Sequence, residues 1–180
     1  MTTNKIIVVG LASIVLGVAG CSKSPNNRAS ESFGLTPTVG EDKRVTSAGV
    51  VKAVPQPVEI SAGSSSEAIV RLTIENGYHV NANPPTYPYL IATELVITPA
   101  SGISSGALKY PPALSRQFPF AEQPLAVYEG ETEIKAALKA DKSATKGQQS
   151  LSAILRIQAC DDQVCYPPGT IDLTIPVTIK

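Results

Sequence analysis

The sequence predicts an all-β protein built as an antiparallel β-sandwich. Three observations carry that expectation. From about residue 51 the apolar residues recur at every second position, the period of a strand with one face on a core. Pro (15) and Gly (13) together exceed one residue in seven, with no Trp and few aromatics, a mixture that makes corners and short strands. No stretch has the 3.6-residue period of an amphipathic helix. The 180 residues suit one domain plus tails, and a 43% hydrophobic content supplies one core. Fifteen basic residues balance fifteen acidic ones, so no net field draws the chain to nucleic acid or to an anionic membrane surface.

In chain order, residues 1–20 come first. Lys5 gives a positive start, and "IIVVGLASIVLGVAG" is an apolar run of fifteen residues, too short to span a bilayer easily and suited to a secretory leader. The run ends in "VAGC", Val18 to Cys21, which resembles the lipobox of bacterial lipoproteins. That resemblance implies cleavage before Cys21, lipid on its thiol and new amino terminus, and anchoring in the cell envelope facing the periplasm. Ser22, in place of Asp, points by analogy to the outer membrane. Residues 21–50 then read as the lipidated N-terminus and a flexible tether, rich in Ser, Asn, Pro, Gly and charge.

The folded domain is expected over 51–180. Val70, Leu72 and Ile74 alternate with Ile69, Arg71 and Thr73, and Thr132, Ile134, Ala136 and Leu138 alternate with Glu131, Glu133 and Lys135. Leu151, Ala153, Leu155, Ile157 and Ala159 share a face, as do Ile171, Leu173, Ile175, Val177 and Ile179. Pro176 suits the last strand to a sheet edge, because proline cannot donate to a ladder. "TELVITPASG" and "QPLAVYEG" add shorter strands, for seven or eight in all. Two long segments break the alternation. Residues 76–93, "NGYHVNANPPTYPYLIAT", hold three tyrosines, and residues 109–124, "KYPPALSRQFPFAEQP", hold two phenylalanines. Loops of this length are usually functional or disordered, and their aromatic content favours packed loops that cover something.

With Cys21 given to lipid, Cys160 and Cys165 remain as partners for each other, in a compartment that permits a disulfide. The residues alone leave three uses open. As a staple, a six-residue loop contributes only about 2 kcal/mol, against about 5 for a loop of a hundred. A metal site needs a third ligand, and His79 is the single histidine, with Asp161 and Asp162 poorly spaced to help. As a redox pair, the two cysteines lack the helix N-terminus and nearby cations that lower a thiol pKa. Asp161 and Asp162 put negative charge beside Cys160 and are expected to raise it. Such a pair suits a carrier whose disulfide is attacked by a partner's thiolate.

The motifs "GYHVNANPP", "TEL", "KYP", "PLAVYEG" and "QACDDQVCYPP", in this order, resemble the N-terminal periplasmic domain of the thiol:disulfide interchange protein DsbD, over roughly residues 67–180. The resemblance implies an immunoglobulin-like domain whose redox pair is the disulfide-forming Cys160 and Cys165, shielded by a cap loop. Asp161, Asp162, Tyr166, Pro167 and Pro168 would flank the pair, with partner recognition expected at the Tyr-Pro-Pro. Tyr87 to Leu90, including Tyr89, and Phe118 to Phe120 are the two cap candidates. His79 is a candidate auxiliary, either aiding proton transfer or fixing a turn through Asn81 or Asn83. Cys165, beside Tyr166, is expected to be attacked first.

The expected activity is thiol–disulfide interchange, a protein-disulfide reductase chemistry, with no metal and no cofactor. The chain is expected to lack a polytopic membrane region and a thioredoxin-like domain of its own. The expected partner is therefore a separate thioredoxin-fold protein or membrane electron transporter, joined by mixed disulfide. The competing expectation is a non-enzymatic immunoglobulin-like binding lipoprotein with an inert structural disulfide.

Overall fold

The computed structural model describes residues 45–180. The leader expected over 1–20, Cys21 and the tether up to residue 44 lie outside the described residues. Twelve strands occur among those described, with a 3-10 turn at Ser47–Val50 and no α-helix. They are β1 (Val51–Pro55), β2 (Val58–Ile60), β3 (Ser65–Ile74), β4 (His79–Asn81), β5 (Glu94–Ile97) and β6 (Ile103–Lys109). The second half holds β7 (Leu114–Arg116), β8 (Leu125–Tyr128), β9 (Glu131–Ala140), β10 (Gly147–Ile157), β11 (Ala159–Cys160) and β12 (Gly169–Ile179).

Two four-stranded sheets make the sandwich, in the orders β1-β3-β9-β6 and β2-β12-β10-β5. Each follows from the alternation. Along β3 the residues Ala68, Val70, Leu72 and Ile74 are buried while Arg71 and Thr73 are exposed, and β9 lies antiparallel with Val70 opposite Ile134 and Arg71 opposite Glu133. Along β10 and β12, Leu151, Ala153, Leu155 and Ile157 face inward opposite Ile175, Leu173, Ile171 and Gly169. The buried residues of both sheets form one continuous cluster, so the two alternating faces pack on each other. Removing each Leu or Ile of this set from water contributes about 1.5–3 kcal/mol.

The edge expectation for Pro176 needs correcting. β12 lies inside its sheet, between β10 and β2. The parallel pairing with β2 begins only at Val177, opposite Val58, so Pro176 has a strand neighbour on one side alone, at Ser150. β2 is three residues long, and it is this shortness that accommodates a proline in an interior strand.

The two long aromatic segments contribute strands of their own. β4 and β7 arise within them and join β8 and β11 in a third sheet, ordered β11-β4-β8-β7. The ordered domain also starts before residue 51: Ser47 and Val50 of the 3-10 turn are buried, although the sequence pattern groups residues 45–50 with the tether. Thr46 caps this turn, its Oγ1 accepting from the Gly49 N–H at 3.1 Å.

Candidate functional site

β10 ends at Ile157, and the chain turns back on itself through Gln158, β11 and a tight loop before β12 begins at Gly169. Within that loop Cys160 and Cys165 face each other as antiparallel bridge partners and are joined by a disulfide. Their Cα atoms are 3.9 Å apart, closer than the roughly 4.4–6.8 Å common for disulfides. The Tyr166 N–H donates to the Ala159 carbonyl at 2.9 Å and the Asp161 N–H to the Val164 carbonyl at 3.0 Å. Asp161 shapes the turn. Its Oδ1 accepts from the N–H groups of Gln163 (2.7 Å) and Val164 (2.8 Å), an Asx turn, and its Oδ2 accepts the Tyr166 hydroxyl at 2.6 Å.

The third sheet has two unlike faces, and register assigns each residue to one of them. Residues directly opposite on paired strands project to the same side. Val80, opposite Ala159 and Tyr128, joins the main core. His79 opposite Cys160, and Asn81 opposite Val127, therefore face the other way. There a second apolar cluster of Phe118, Leu125 and Val127, with Tyr87, Leu90 and Ala121 against it, closes over the sheet.

Both aromatic segments converge on the disulfide. A groove of about 740 Å³ is lined by Tyr87, Tyr89, Leu90 and Phe120 on one side and by Gln163, Val164 and Cys165 on the other. Tyr87 and Tyr89 stack with centroids 5.1 Å apart, and Phe118 and Phe120 at 5.4 Å. Tyr89 is 73% exposed and Phe120 44%, whereas Phe118 is buried. The cysteines differ in the same sense: Cys160 is fully buried, and Cys165, partly exposed, lies at the groove wall. The two cap candidates thus form one apolar wall beside Cys165.

His79 is buried and stacked on Phe118, with ring centroids 4.1 Å apart. It makes no hydrogen bond with Asn81 or Asn83. Asn81 instead donates to the Ile91 carbonyl and to Gln158 Oε1, each at 3.1 Å, and Asn83 donates to the Thr93 carbonyl at 3.0 Å. Burial lowers the His79 pKa against the opposing pull of Glu129, Asp162 and Asp161. The Tyr166 hydroxyl holds the Asp161 carboxyl below its ordinary range, with help from the Val164 and Gln163 N–H groups. The same bond raises Tyr166 to about 12. Asp161, expected from the sequence to act on the thiol through its charge, is seen here building the turn, while Asp162 is exposed.

Two residues outside the expected set hold the hairpin. Gln158 donates to the Tyr166 carbonyl at 3.3 Å while its Oε1 accepts from Asn81 and from the Ile91 N–H, at 3.2 Å. Ser47 lies buried beneath: its hydroxyl donates to the Pro167 carbonyl at 2.7 Å and accepts the Ala159 N–H at 2.9 Å. Gly169 passes so close that a Cβ there would lie 3.1 Å from the Ala48 nitrogen. Pro167 and Pro168 are exposed at the flank. With each sulfur bonded to the other, neither is a thiolate ligand. No group of three or more His, Cys, Asp and Glu gathers as a metal site among the described residues.

A family model for the N-terminal part of the thiol:disulfide interchange protein DsbD matches residues 49–175. No curated protein sequence matches the chain. Among solved structures, the chain is similar to the N-terminal periplasmic domain of ScsB from Proteus mirabilis, at 16% identity and a TM-score of 0.48. That match covers 69% of this chain and 44% of the other, so the chain spans less than half the length of that relative. It is also similar to an ASH/PapD-like domain of human CEP192, at 10% identity and a TM-score of 0.35, covering 87% of this chain and 98% of that one.

Proposed function

Because the chain belongs to the family of DsbD N-terminal domains, we propose that it carries electrons by thiol–disulfide exchange through Cys160 and Cys165. The observation that carries this reading is the unequal burial of the two cysteines. Cys160 is sealed, and Cys165 lines an open groove walled by Tyr87, Tyr89, Leu90 and Phe120. A staple has no need of an accessible sulfur, and a carrier needs one.

A donor's thiolate attacks Cys165 Sγ in line with the disulfide. The bond between donor sulfur and Cys165 forms, the Cys160–Cys165 bond breaks, and its electron pair leaves on Cys160 Sγ. The donor's second thiolate then attacks its own sulfur in the mixed disulfide. The donor departs oxidised, and this domain holds two thiols and two more electrons. Delivery to an acceptor disulfide runs the same steps in reverse. The aromatic wall gives a partner's loop an apolar seat beside Cys165, and Tyr166, Pro167 and Pro168 present a stiff second edge. The proposed partner is a thioredoxin-fold protein or a membrane electron transporter. Lipid at Cys21 would hold the domain on an envelope membrane, facing the periplasm.

The test is isolation of mixed disulfides from the envelope with Cys160→Ser, which leaves Cys165 unable to be released, beside Cys165→Ser as control. Recovery of a thioredoxin-fold protein on Cys160→Ser alone supports the carrier. A reduction potential within roughly −180 to −270 mV belongs to a cycling pair. A potential below about −300 mV with nothing trapped makes the disulfide a structural one and sinks the reading.

A further inference from the structure

We propose that His79 is the acid–base partner of Cys160 during exchange, an inference that rests on the redox reading above. Each turnover of that reading puts charge on Cys160 Sγ, and Cys160 is fully buried. A thiolate there is cut off from water and is costly to form without a proton acceptor and a counter-charge.

His79 occupies the ladder position opposite Cys160 and projects to the same face. In antiparallel pairs such residues have Cβ atoms about 4.5–5.5 Å apart. Its Nε2 is buried with no hydrogen-bond partner, a rare condition in a folded protein. In this proposal the S–H of a reduced Cys160 is the partner of that nitrogen, and a disulfide-bonded Cys160 has no S–H to offer. Stacking on Phe118 at 4.1 Å fixes the ring. A separate groove of about 590 Å³ is lined by His79, Arg116, Phe118, Glu129 and Asp162. The proton path of this proposal runs through that groove, whose lining residues differ from those of the groove at Cys165.

The charged groups around the ring suit the task. Glu129, Asp162 and Asp161 favour the imidazolium, and burial outweighs them, so the resting ring is neutral and ready to accept. Arg116 holds Glu129 through both its Nε and an Nη, at 2.8–3.1 Å.

The step belongs to delivery. Cys165 Sγ is then bonded to the acceptor's sulfur. Cys160 Sγ gives its proton to His79 Nε2 and attacks Cys165 Sγ. The Cys160–Cys165 bond forms, the bond to the acceptor breaks, and that electron pair leaves on the acceptor's sulfur. The domain loses two electrons and the acceptor gains them. In uptake the neutral ring takes a proton from solvent by way of that groove and passes it to Cys160 as its thiolate is released.

The experiment follows reduction of the Cys160–Cys165 disulfide by dithiothreitol from pH 5 to 9 in the folded wild type and in His79→Gln. The expected result is a rate about 100-fold lower in His79→Gln near neutral pH, a size usual for acid–base assistance. The variant should also lose the inflection that an imidazole imposes, keeping only that of dithiothreitol. A wild-type rate and inflection in His79→Gln overturn the proposal. Independently of any variant, the NMR titration midpoint of His79 should differ between the disulfide and dithiol forms of the unsubstituted protein, and an identical midpoint overturns it equally. Dithiothreitol needs no protein partner. A failure to trap partners with His79 dependence intact therefore removes the carrier reading alone, and the converse removes only this one.

Discussion

The hydroxyl of Tyr166 donates to Asp161 Oδ2 at 2.6 Å, across the base of the loop that carries the disulfide. The bond joins the residue after one cysteine to the residue after the other. It makes the hairpin a closed unit before any sulfur chemistry is considered, with Asp161 accepting three hydrogen bonds at once. The carboxylate that stands nearest the disulfide in sequence is therefore also the element that shapes its loop.

The hairpin should lose stability in acid in a way that depends on Tyr166. The folded Asp161 pKa is lowered, so its contribution is present above the unfolded value of 3.8 and is lost as pH falls through the folded one. Thermal melts of wild type and Tyr166→Phe from pH 2 to 6 check this, with a shallower acid dependence expected in the variant. At the other extreme, Tyr166 keeps its proton until about 12, so its contribution is whole below 10.0 and fades only as pH rises through about 12.

Reduced protein should show two thiols of very different reactivity. Iodoacetamide is expected to modify Cys165 at least about tenfold faster than Cys160, because access limits attack on the buried sulfur. Mass spectrometry of briefly labelled Cys160→Ser and Cys165→Ser proteins measures the ratio. Equal rates would contradict the burial difference.

Tyr89→Ala and Phe120→Ala should speed reduction of the disulfide by dithiothreitol, since both rings line the groove beside Cys165. Both side chains are substantially exposed, so unfolding free energies should stay within about 0.5 kcal/mol of wild type. Stopped-flow reduction and urea melts separate the two effects.

Ser47→Ala should cost about 1–3 kcal/mol, because the buried Ala159 N–H loses its acceptor. A lower urea midpoint with an unchanged slope is the expected sign.

The strands were legible because burial on one face imposes a period of two, which Leu151, Ala153, Leu155 and Ile157 state without interruption. The Cys160–Cys165 disulfide was legible because its spacing and flanks form a local motif. Pro176 misled because its ladder position depends on where β2 begins, a fact carried by residues more than a hundred positions away. Ser47 was passed over for the same kind of reason. A lone serine in a polar stretch gives no sign that it bonds to both Ala159 and Pro167. Gln158 lay inside the recognised motif, yet its role needs Asn81 and Ile91 brought beside it. The two aromatic segments read as rival caps because sequence cannot show that Tyr89 and Phe120 line one groove.

The concealment of Cys160 behind Cys165 also has a kinetic corollary for the proposed carrier. Both the electron pair coming in and the pair going out must pass through a single sulfur. Donor and acceptor then compete for one seat and cannot occupy it together. Turnover between two protein partners should accordingly be ping-pong, with each partner inhibiting the other when present in excess.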